Sequence, residues 1–164
     1  YTVGSSAYGY RGLGDVFVFV FFGLVSTLGS YYLYTHSLDI KVLFPAFAVG
    51  FLSTAVLNMN NMRDIENDAA MNKNTLVVKM GYQKAKTYHF FLIIASIILF
   101  NTYAIGNFIK WYQFAYVLAL IPLFKNIGVV SKTKNPRDLD PELKRIALTT
   151  FFISLLFSIA IILN

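Results

Sequence analysis

FFLIIASIILFNTYAIGNFI, residues 90–109, is the stretch that decides the fold of this chain. It contains no charged side chain, and an α-helix needs about 20 mostly apolar residues to cross a bilayer. Four further stretches have the same character, namely residues 16–35, 42–59, 111–130 and 146–164. The stretch 111–130 includes Lys125, whose long side chain can extend to the membrane interface. The sequence therefore predicts an all-α fold, a polytopic membrane bundle of five transmembrane helices.

The composition of the chain supports a membrane protein. Hydrophobic residues make up 57% of it and charged residues 13%, whereas soluble domains carry about 25% charged residues. Cysteine is absent, which excludes disulfide and thiol chemistry. The length suits a single membrane domain over residues 1–164. The sequence starts at Tyr1, without an initiator methionine, in a polar stretch, and we expect that residue 1 is not the natural start.

Positive charge is distributed unevenly between the two sides of the predicted bundle. If the helices alternate in direction, the leading segment and the segments 59–89 and 125–145 share one side and hold twelve of the fourteen Lys and Arg residues. The other side has Lys41 and Lys110. Cytoplasmic segments of membrane proteins carry such an excess. We therefore expect a multi-pass protein of the inner (plasma) membrane with these segments on the cytoplasmic face, and the net charge of +6 requires no nucleic acid as a partner.

The polar residues concentrate in LNMNNMRDIENDAAMNKNTLVVKMG, residues 57–81. Asn60, Asp64 and Asp68 follow at i, i+4 and i+8, so that a continuing helix places them on one face with neighbouring Cβ atoms about 5–6 Å apart. Carboxylates at this spacing repel each other unless a cation binds between them, and carboxylate and amide oxygens are ligands suited to Mg²⁺. We expect a site loop over residues 60–81 in which these three residues are the metal ligands and the catalytic residues.

Three basic residues accompany the acids of this segment. Arg63, Lys73 and Lys79 have the charge to neutralise phosphate oxygens, and arginine can do so with two parallel hydrogen bonds. The alternative for the whole segment is a solvated loop in which acids and bases balance each other. The D-x-x-x-D pattern alone does not decide between these interpretations.

The same segment resembles the second aspartate-rich motif of the UbiA superfamily of membrane prenyltransferases. N-N-x-R-D-x-x-x-D at residues 60–68, followed by K-x-T-L-x-V-K-x-G at 73–81, is similar to the 1,4-dihydroxy-2-naphthoate polyprenyltransferases within it. The opening YTVG and YRGLGDVFVFVFFG and the closing LDPELKRIALTTFFISLLFSIAIIL resemble the same group, so the resemblance covers nearly the whole chain. Two positions depart from the pattern: Ala69 stands where a basic residue is frequent, and Asn72 where a glycine is.

The resemblance implies that the five helices are the C-terminal part of a nine-helix UbiA-type fold. The N-terminal helices of the same protein, with a first aspartate-rich motif, would then be missing, and we expect this chain alone to be inactive. The implied reaction transfers a polyprenyl group from polyprenyl diphosphate to 1,4-dihydroxy-2-naphthoate and yields demethylmenaquinone, carbon dioxide and diphosphate. The implied roles are Mg²⁺ binding by Asp64, Asp68 and Asn60, diphosphate binding by Arg63, Lys73 and Lys79, and acceptor binding by Asn61, Arg11 and Asp15.

Several alternatives stay open at this stage. Asp15 directly precedes an apolar run and can instead cap the first helix, and Asn61 can serve only to hold the loop. Other enzymes of the superfamily take 4-hydroxybenzoate or homogentisate as the acceptor, and an ion-coupled transporter fragment is a candidate from a different class. Asp140 before Pro141 predicts a helix N-cap with proline at the first helical position. For His89, a hydrogen-bonded histidine is favoured over a catalytic base.

Overall fold

The computed structural model describes residues 12–163, and they form no β-strand. In chain order the helices are α1 (Gly14–Thr35), α2 (Leu43–Arg63), α3 (Ile65–Ala70), α4 (Leu76–Met80), α5 (Tyr82–Asn107), α6 (Trp111–Lys132) and α7 (Asp140–Ile162). Short 3₁₀ turns, Ile40–Val42 and Pro136–Leu139, precede α2 and α7. Within α1 the segment Phe19–Val25 is π-helical, and the first part of α6, Trp111–Leu120, is a 3₁₀ helix. All but α3 and α4 belong to segments long and apolar enough to cross a membrane. The expectation of an all-α, five-helix membrane fold is confirmed.

The helices extend further than the apolar stretches at the end that carries the polar cluster. The stretch expected at 42–59 continues as helix to Arg63, the one expected at 90–109 begins already at Tyr82, and the one expected at 146–164 begins at Asp140. Hydropathy marks only the part of a helix that contacts lipid, and polar side chains permit the helix to continue into water. For the same reason the segment 60–81, expected to be a loop, is mostly helical.

Helix α2 lies at the centre and packs against α1, α5 and α7. Its contact with α1 is close because both helices present glycine there. A Cβ atom on Gly23 would lie 2.5 Å from the Cα atom of Gly50, and small residues of this kind allow helices to approach each other in membranes. The Phe19 ring covers the same contact, with ring centroids 5.6 Å from Phe47 and 4.9 Å from Phe51.

An aromatic cluster joins α5, α6 and α7 at the end of the bundle away from the polar segment. The Phe157 ring is central, with centroid distances of 4.7 Å to Phe100, 5.0 Å to Tyr116 and 5.4 Å to Phe108. The buried Tyr116 hydroxyl donates a hydrogen bond to Asn101 Oδ1 at 3.0 Å. Aromatic pairs in such tilted and edge-to-face arrangements add to the stabilisation from buried area, so this cluster holds the three helices together.

At the opposite end a chain of buried polar side chains joins the same three helices. His89 Nε2 lies 2.9 Å from Asn126 Oδ1, and Asn126 Nδ2 donates to Glu142 Oε2 at 2.9 Å. Arg145 Nη1 donates to the other carboxylate oxygen of Glu142. Because a carboxylate only accepts, the amide of Asn126 must turn its oxygen towards His89, and His89 therefore donates from Nε2. His89 is hydrogen-bonded, as expected, and the network fixes the first turn of α7.

Candidate functional site

The acidic residues of the polar segment lie on successive helical turns. The Asp64 amide donates to the Asn60 carbonyl at 3.1 Å, and the Asp68 amide donates to the Asp64 carbonyl at 2.8 Å. The i to i+4 pattern thus continues across the junction of α2 and α3, although Asp64 itself has φ −96° and ψ 10°, a sparsely populated region in which many active-site residues lie. Asn60, Asp64 and Asp68 consequently follow one another along one side of the chain.

Arg63 is the centre of the hydrogen bonds in this region. Its Nε and Nη2 atoms donate to the two carboxylate oxygens of Asp64 at 2.9 and 2.8 Å, and Nη2 also donates to Asn60 Oδ1 at 3.0 Å. Its Nη1 atom donates to Asp140 Oδ1, at the start of α7, at 2.9 Å. The guanidinium group therefore joins the end of α2 to the first residue of α7.

The pairing with Arg63 determines the protonation state of Asp64. The hydrogen bonds from the guanidinium group lower the pKa of this carboxyl below its ordinary value of 3.8, against a smaller opposing effect of burial. The charge of Lys73 acts in the same direction. Asp64 is therefore a carboxylate throughout the neutral pH range, which is the form that binds a cation.

Asp68 and Lys73 form a second pair, one turn further along. Lys73 Nζ lies 2.9 Å from Asp68 Oδ1, and their side chains are 19% and 9% exposed. The Lys73 amide also donates to the Asp68 carbonyl at 2.8 Å. The other carboxylate oxygen, Asp68 Oδ2, is buried and accepts no hydrogen bond within residues 12–163. A buried carboxylate oxygen without a partner is costly, and a bound cation would satisfy it.

The turn between Asp68 and Lys73 explains one departure from the family pattern. Asn72 has φ +54°, in the left-handed region that glycine adopts most easily and asparagine tolerates better than other residues. Asn72 thus adopts the conformation for which the frequent glycine is suited. The chain then enters α4, where Thr75 Oγ1 accepts a hydrogen bond from the Val78 amide at 3.2 Å. Lys73 is held by this turn on one side and by the α4 cap on the other.

The oxygen ligands of Asn60, Asp64 and Asp68 are of the type that Mg²⁺ binds, but they are too few to complete a metal site. They comprise two carboxylates and one amide oxygen, and Mg²⁺ binds such hard oxygen ligands while keeping waters and phosphate oxygens for its remaining positions. Within the described part of the chain no group of three His, Cys, Asp or Glu residues is brought together. Residues 12–163 can therefore supply part of a metal site, whose carboxylates here pair with Arg63 and Lys73.

The remaining predicted site residues lie apart from these two pairs. Lys79 lies in the last turn of α4. Its Nζ atom is close to Gly12, only 2.9 Å from the position that a Cβ atom on this glycine would occupy. Asn61 is 2% exposed, and its Oδ1 atom accepts no hydrogen bond in the described region. Arg11 lies outside the described residues. The structure thus groups Asn60, Arg63, Asp64, Asp68 and Lys73, and places Lys79 beside the start of α1.

Asp15 is buried in the first turn of α1 and makes no side-chain cap bond there, so the alternative that it caps the helix is wrong. It lines a cavity of about 310 Å³ together with Thr54, Leu76 and Tyr88. The Tyr88 hydroxyl donates to its carboxylate, whereas its Oδ1 atom is buried and has no partner among residues 12–163. The cavity therefore combines the polar groups of Asp15, Thr54 and Tyr88 with a mostly apolar lining.

A larger groove reaches Asn60, one of the expected metal ligands. It has a volume of about 560 Å³, and Asn60 lies in its wall beside mostly apolar residues of α1, α2 and α7, among them Phe22, Val56 and Leu143. An apolar chain attached to an anionic head could therefore lie in the groove with its head close to Arg63.

Sequence reasoning missed two acidic residues at the start of α7. Asp140 was expected to be an N-cap, but it is the first residue of the helix, makes no cap bond and pairs with Arg63 instead. Glu142 is 4% exposed and binds Asn126 and Arg145. The Glu142–Arg145 pair is local, at i and i+3. No local pattern indicates the contacts with Arg63 and Asn126, because these residues precede their partners by 77 and 16 residues.

These features define a class of protein: a polytopic membrane protein whose helices end in paired acidic and basic side chains beside an apolar groove. The sequence profile of the UbiA prenyltransferase family matches residues 1–156. The chain therefore belongs to the UbiA prenyltransferase family.

Three of the curated relatives that the chain matches share one description. The chain is 42% identical over its whole length to "1,4-dihydroxy-2-naphthoate octaprenyltransferase" of Haemophilus influenzae and 41% identical to the protein of that description in Escherichia coli, and covers 53% of each. A Mycobacterium tuberculosis protein with the same description is 37% identical over 88% of the chain, and the match covers 48% of that protein. The chain thus spans about half the length of the curated relatives it matches. No solved structure shows significant similarity to it.

Proposed function

We propose that this chain is the C-terminal part of a membrane prenyltransferase that transfers a polyprenyl group from polyprenyl diphosphate to 1,4-dihydroxy-2-naphthoate and forms demethylmenaquinone in its reduced, quinol form. The observation that carries the proposal is the presence of two ion pairs, Arg63 with Asp64 and Lys73 with Asp68. Arg63 also bonds to Asn60, which lies in the wall of an apolar groove. Relatives with the corresponding description cover the whole chain, which supports the same acceptor.

The residues of the cluster have complementary tasks in this reaction. Asp64, Asp68 and Asn60 would hold Mg²⁺, which stabilises the negative charge of the departing diphosphate. Arg63 and Lys73 would bind the diphosphate oxygens directly, and Lys79 is proposed as a further diphosphate contact. The allylic C–O bond would break with departure of the diphosphate, the acceptor ring carbon that bears the carboxylate would bond to the allylic carbon, and this carboxylate would leave as carbon dioxide. The ring keeps both hydroxyl groups through these steps, so the direct product is the quinol form of demethylmenaquinone, and its two-electron oxidation to the quinone is a separate step.

The groove beside Asn60 is proposed to hold the isoprenoid chain. Its volume of about 560 Å³ and its apolar lining suit a hydrocarbon, and the helices around it exclude water from the allylic cation. On the acceptor side we propose Asn61, Arg11 and Asp15. The cavity of about 310 Å³ at Asp15 and Tyr88 supports Asp15, because its unpartnered oxygen can accept a hydrogen bond from a phenolic hydroxyl.

The setting of the site is part of the proposal. The excess of Lys and Arg on the side of the cluster supports a cytoplasmic face, and the bacterial relatives support the inner membrane. The relatives are about twice as long as this chain, which supports a partnership with N-terminal helices that complete the metal site.

Substitution of the two carboxylates tests the function directly. In the full-length natural protein, Asp64→Asn and Asp68→Asn should each abolish formation of demethylmenaquinone, measured by chromatography after incubation with a polyprenyl diphosphate, while thermal unfolding stays close to wild type. Glu66→Gln is the matched control, because Glu66 is exposed on the same short helix. Turnover by both Asn variants at the wild-type rate would contradict the metal assignment. Prenylation of 4-hydroxybenzoate or homogentisate in preference to the naphthoate would refute the acceptor.

A further inference from the structure

The Arg63 guanidinium group has partners on two sides. Arginine carries five N–H donors, and four of them are engaged here: Nε and Nη2 with Asp64, Nη2 also with Asn60, and Nη1 with Asp140. Asp64 and Asn60 belong to the proposed metal ligands. Asp140 is on a different transmembrane helix and outside the aspartate-rich motif, and the reaction as described gives it no task.

A bound metal would compete with only one side of the Arg63 guanidinium group. The oxygens of Asp64 and Asn60 that would face a cation are the oxygens to which Arg63 donates in this structure. When a metal and a diphosphate bind, we expect Nε and Nη2 to leave these oxygens, because two cations beside one carboxylate repel each other. The same N–H groups are then available to phosphate oxygens. The bond from Nη1 to Asp140 competes with neither ligand and can persist through the exchange.

We propose that Asp140 is a positioning residue that holds the Nη1 edge of Arg63 while the opposite edge passes from Asp64 and Asn60 to the diphosphate. The inference rests on the proposed function, because it concerns the same metal and diphosphate site. Asp140 can act as a fixed point because the same turn of its helix is anchored in the bundle by Glu142, which binds Asn126 of α6.

Removal of the Asp140 charge should weaken the site in a specific way. Asp64 would then be the one carboxylate that pairs with Arg63 among the contacts described, so a metal ion would compete with a stronger ion pair. The released guanidinium group would also lack its second anchor. The Asp140 side chain is 72% exposed, and exposed ion pairs of this kind correspond to about a two- to fivefold change in an equilibrium constant.

The experiment measures Mn²⁺ binding to the full-length protein by electron paramagnetic resonance, with inorganic diphosphate present as the anionic probe. Asp140→Asn should raise the dissociation constant of Mn²⁺ about two- to fivefold. Asp138→Asn is the matched control, since Asp138 lies two residues away, carries the same charge and contacts Asn135 instead of Arg63. Asp140→Glu, which keeps the charge, should restore most of the affinity, and thermal unfolding of each variant verifies the fold.

A double-mutant cycle tests whether Asp140 affects Mn²⁺ binding through its contact with Arg63. In an Arg63→Gln background, Asp140→Asn should cause no further loss of Mn²⁺ binding, because the two residues act through one contact. Equal affinities for wild type and Asp140→Asn, with binding still lost in Asp64→Asn, would overturn the role of Asp140 and leave the proposed function intact. An Asp140→Glu protein as weak as Asp140→Asn would likewise contradict it. Failure of the wild type to bind Mn²⁺ would refute both.

Discussion

The glycine contact between α1 and α2 permits a prediction whose size follows from the geometry. A Cβ atom on Gly23 would lie 2.5 Å from Gly50 Cα and 2.8 Å from the Ala46 carbonyl oxygen. Two carbon atoms pack best at about 3.5–4.0 Å. Because the obstructing atoms are backbone atoms, no side chain can rotate away, and Gly23→Ala must separate the two helices.

Gly29, on the same helix, supplies the matched control, since a Cβ there meets nothing within 4 Å. Both Gly→Ala changes add one methyl group and gain the same helix propensity, about 1 kcal/mol relative to glycine. Their difference therefore isolates the steric cost, and overpacking of a well-packed contact costs about 1–3 kcal/mol. The Phe19 ring, which contacts Phe51 across the same interface, would lose part of its packing as well.

Thermal unfolding in detergent, followed by the loss of the monodisperse peak in size-exclusion chromatography, measures the difference. Gly23→Ala should melt below Gly29→Ala, by about 2–4 °C for each kcal/mol in a domain of this size. A Gly23→Ala protein that melts at or above Gly29→Ala would refute the close approach of α1 and α2.

Two further predictions concern charged residues. Glu142→Gln should lower the free energy of unfolding by about 1–3 kcal/mol, because Asn126 and Arg145 donate to different oxygens of Glu142 and one of these becomes an NH₂ group that cannot accept. Chemical denaturation, compared with the exposed Glu66→Gln, measures the loss, and equal stability of the two variants would contradict the network. The second prediction concerns the pH dependence of Arg63→Gln. Folding lowers the pKa of Asp64 below 3.8. The Arg63–Asp64 pair therefore stabilises the folded state fully at pH values above 3.8, and this stabilisation is lost as the pH falls through the folded pKa. The melting temperatures of wild type and Arg63→Gln should therefore differ by a constant amount from pH 7 to pH 5, and a difference that shrinks within this range would argue against the lowered pKa.

Much of the fold can be predicted from the sequence because each transmembrane helix satisfies its own backbone hydrogen bonds within one apolar segment. Hydropathy therefore detects the five helices one by one. Their ends are less predictable, since the helical backbone of α2 continues through Asn60 and Arg63 although these side chains are polar. The proposed metal ligands are likewise local, because Asn60, Asp64 and Asp68 lie within nine residues of one another.

Contacts between helices leave no such local pattern. Among the aromatic residues of α6, Trp111 is 86% exposed while Tyr116 is completely buried, yet both occur in similar apolar sequence. Their difference depends on Phe157 of α7, against which the Tyr116 ring packs. The burial of Glu142 depends in the same way on Asn126, a residue of another helix. These environments arise only when the helices are packed together.

The first turn of α7 connects the packing of the bundle to the candidate site. Asp140 and Glu142 are two residues apart, so they point in different directions from the same helical turn, one to Arg63 and the other to Asn126. The buried contact of Glu142 fixes the helix, and the fixed helix determines where the Asp140 carboxylate stands. The position of the Arg63 guanidinium group therefore depends on side chains such as His89 and Asn126, which touch none of the proposed ligands. In this chain the aspartate-rich segment supplies the proposed ligands. The packing of α5, α6 and α7 positions Asp140, and Asp140 in turn positions the Arg63 guanidinium group that pairs with these ligands.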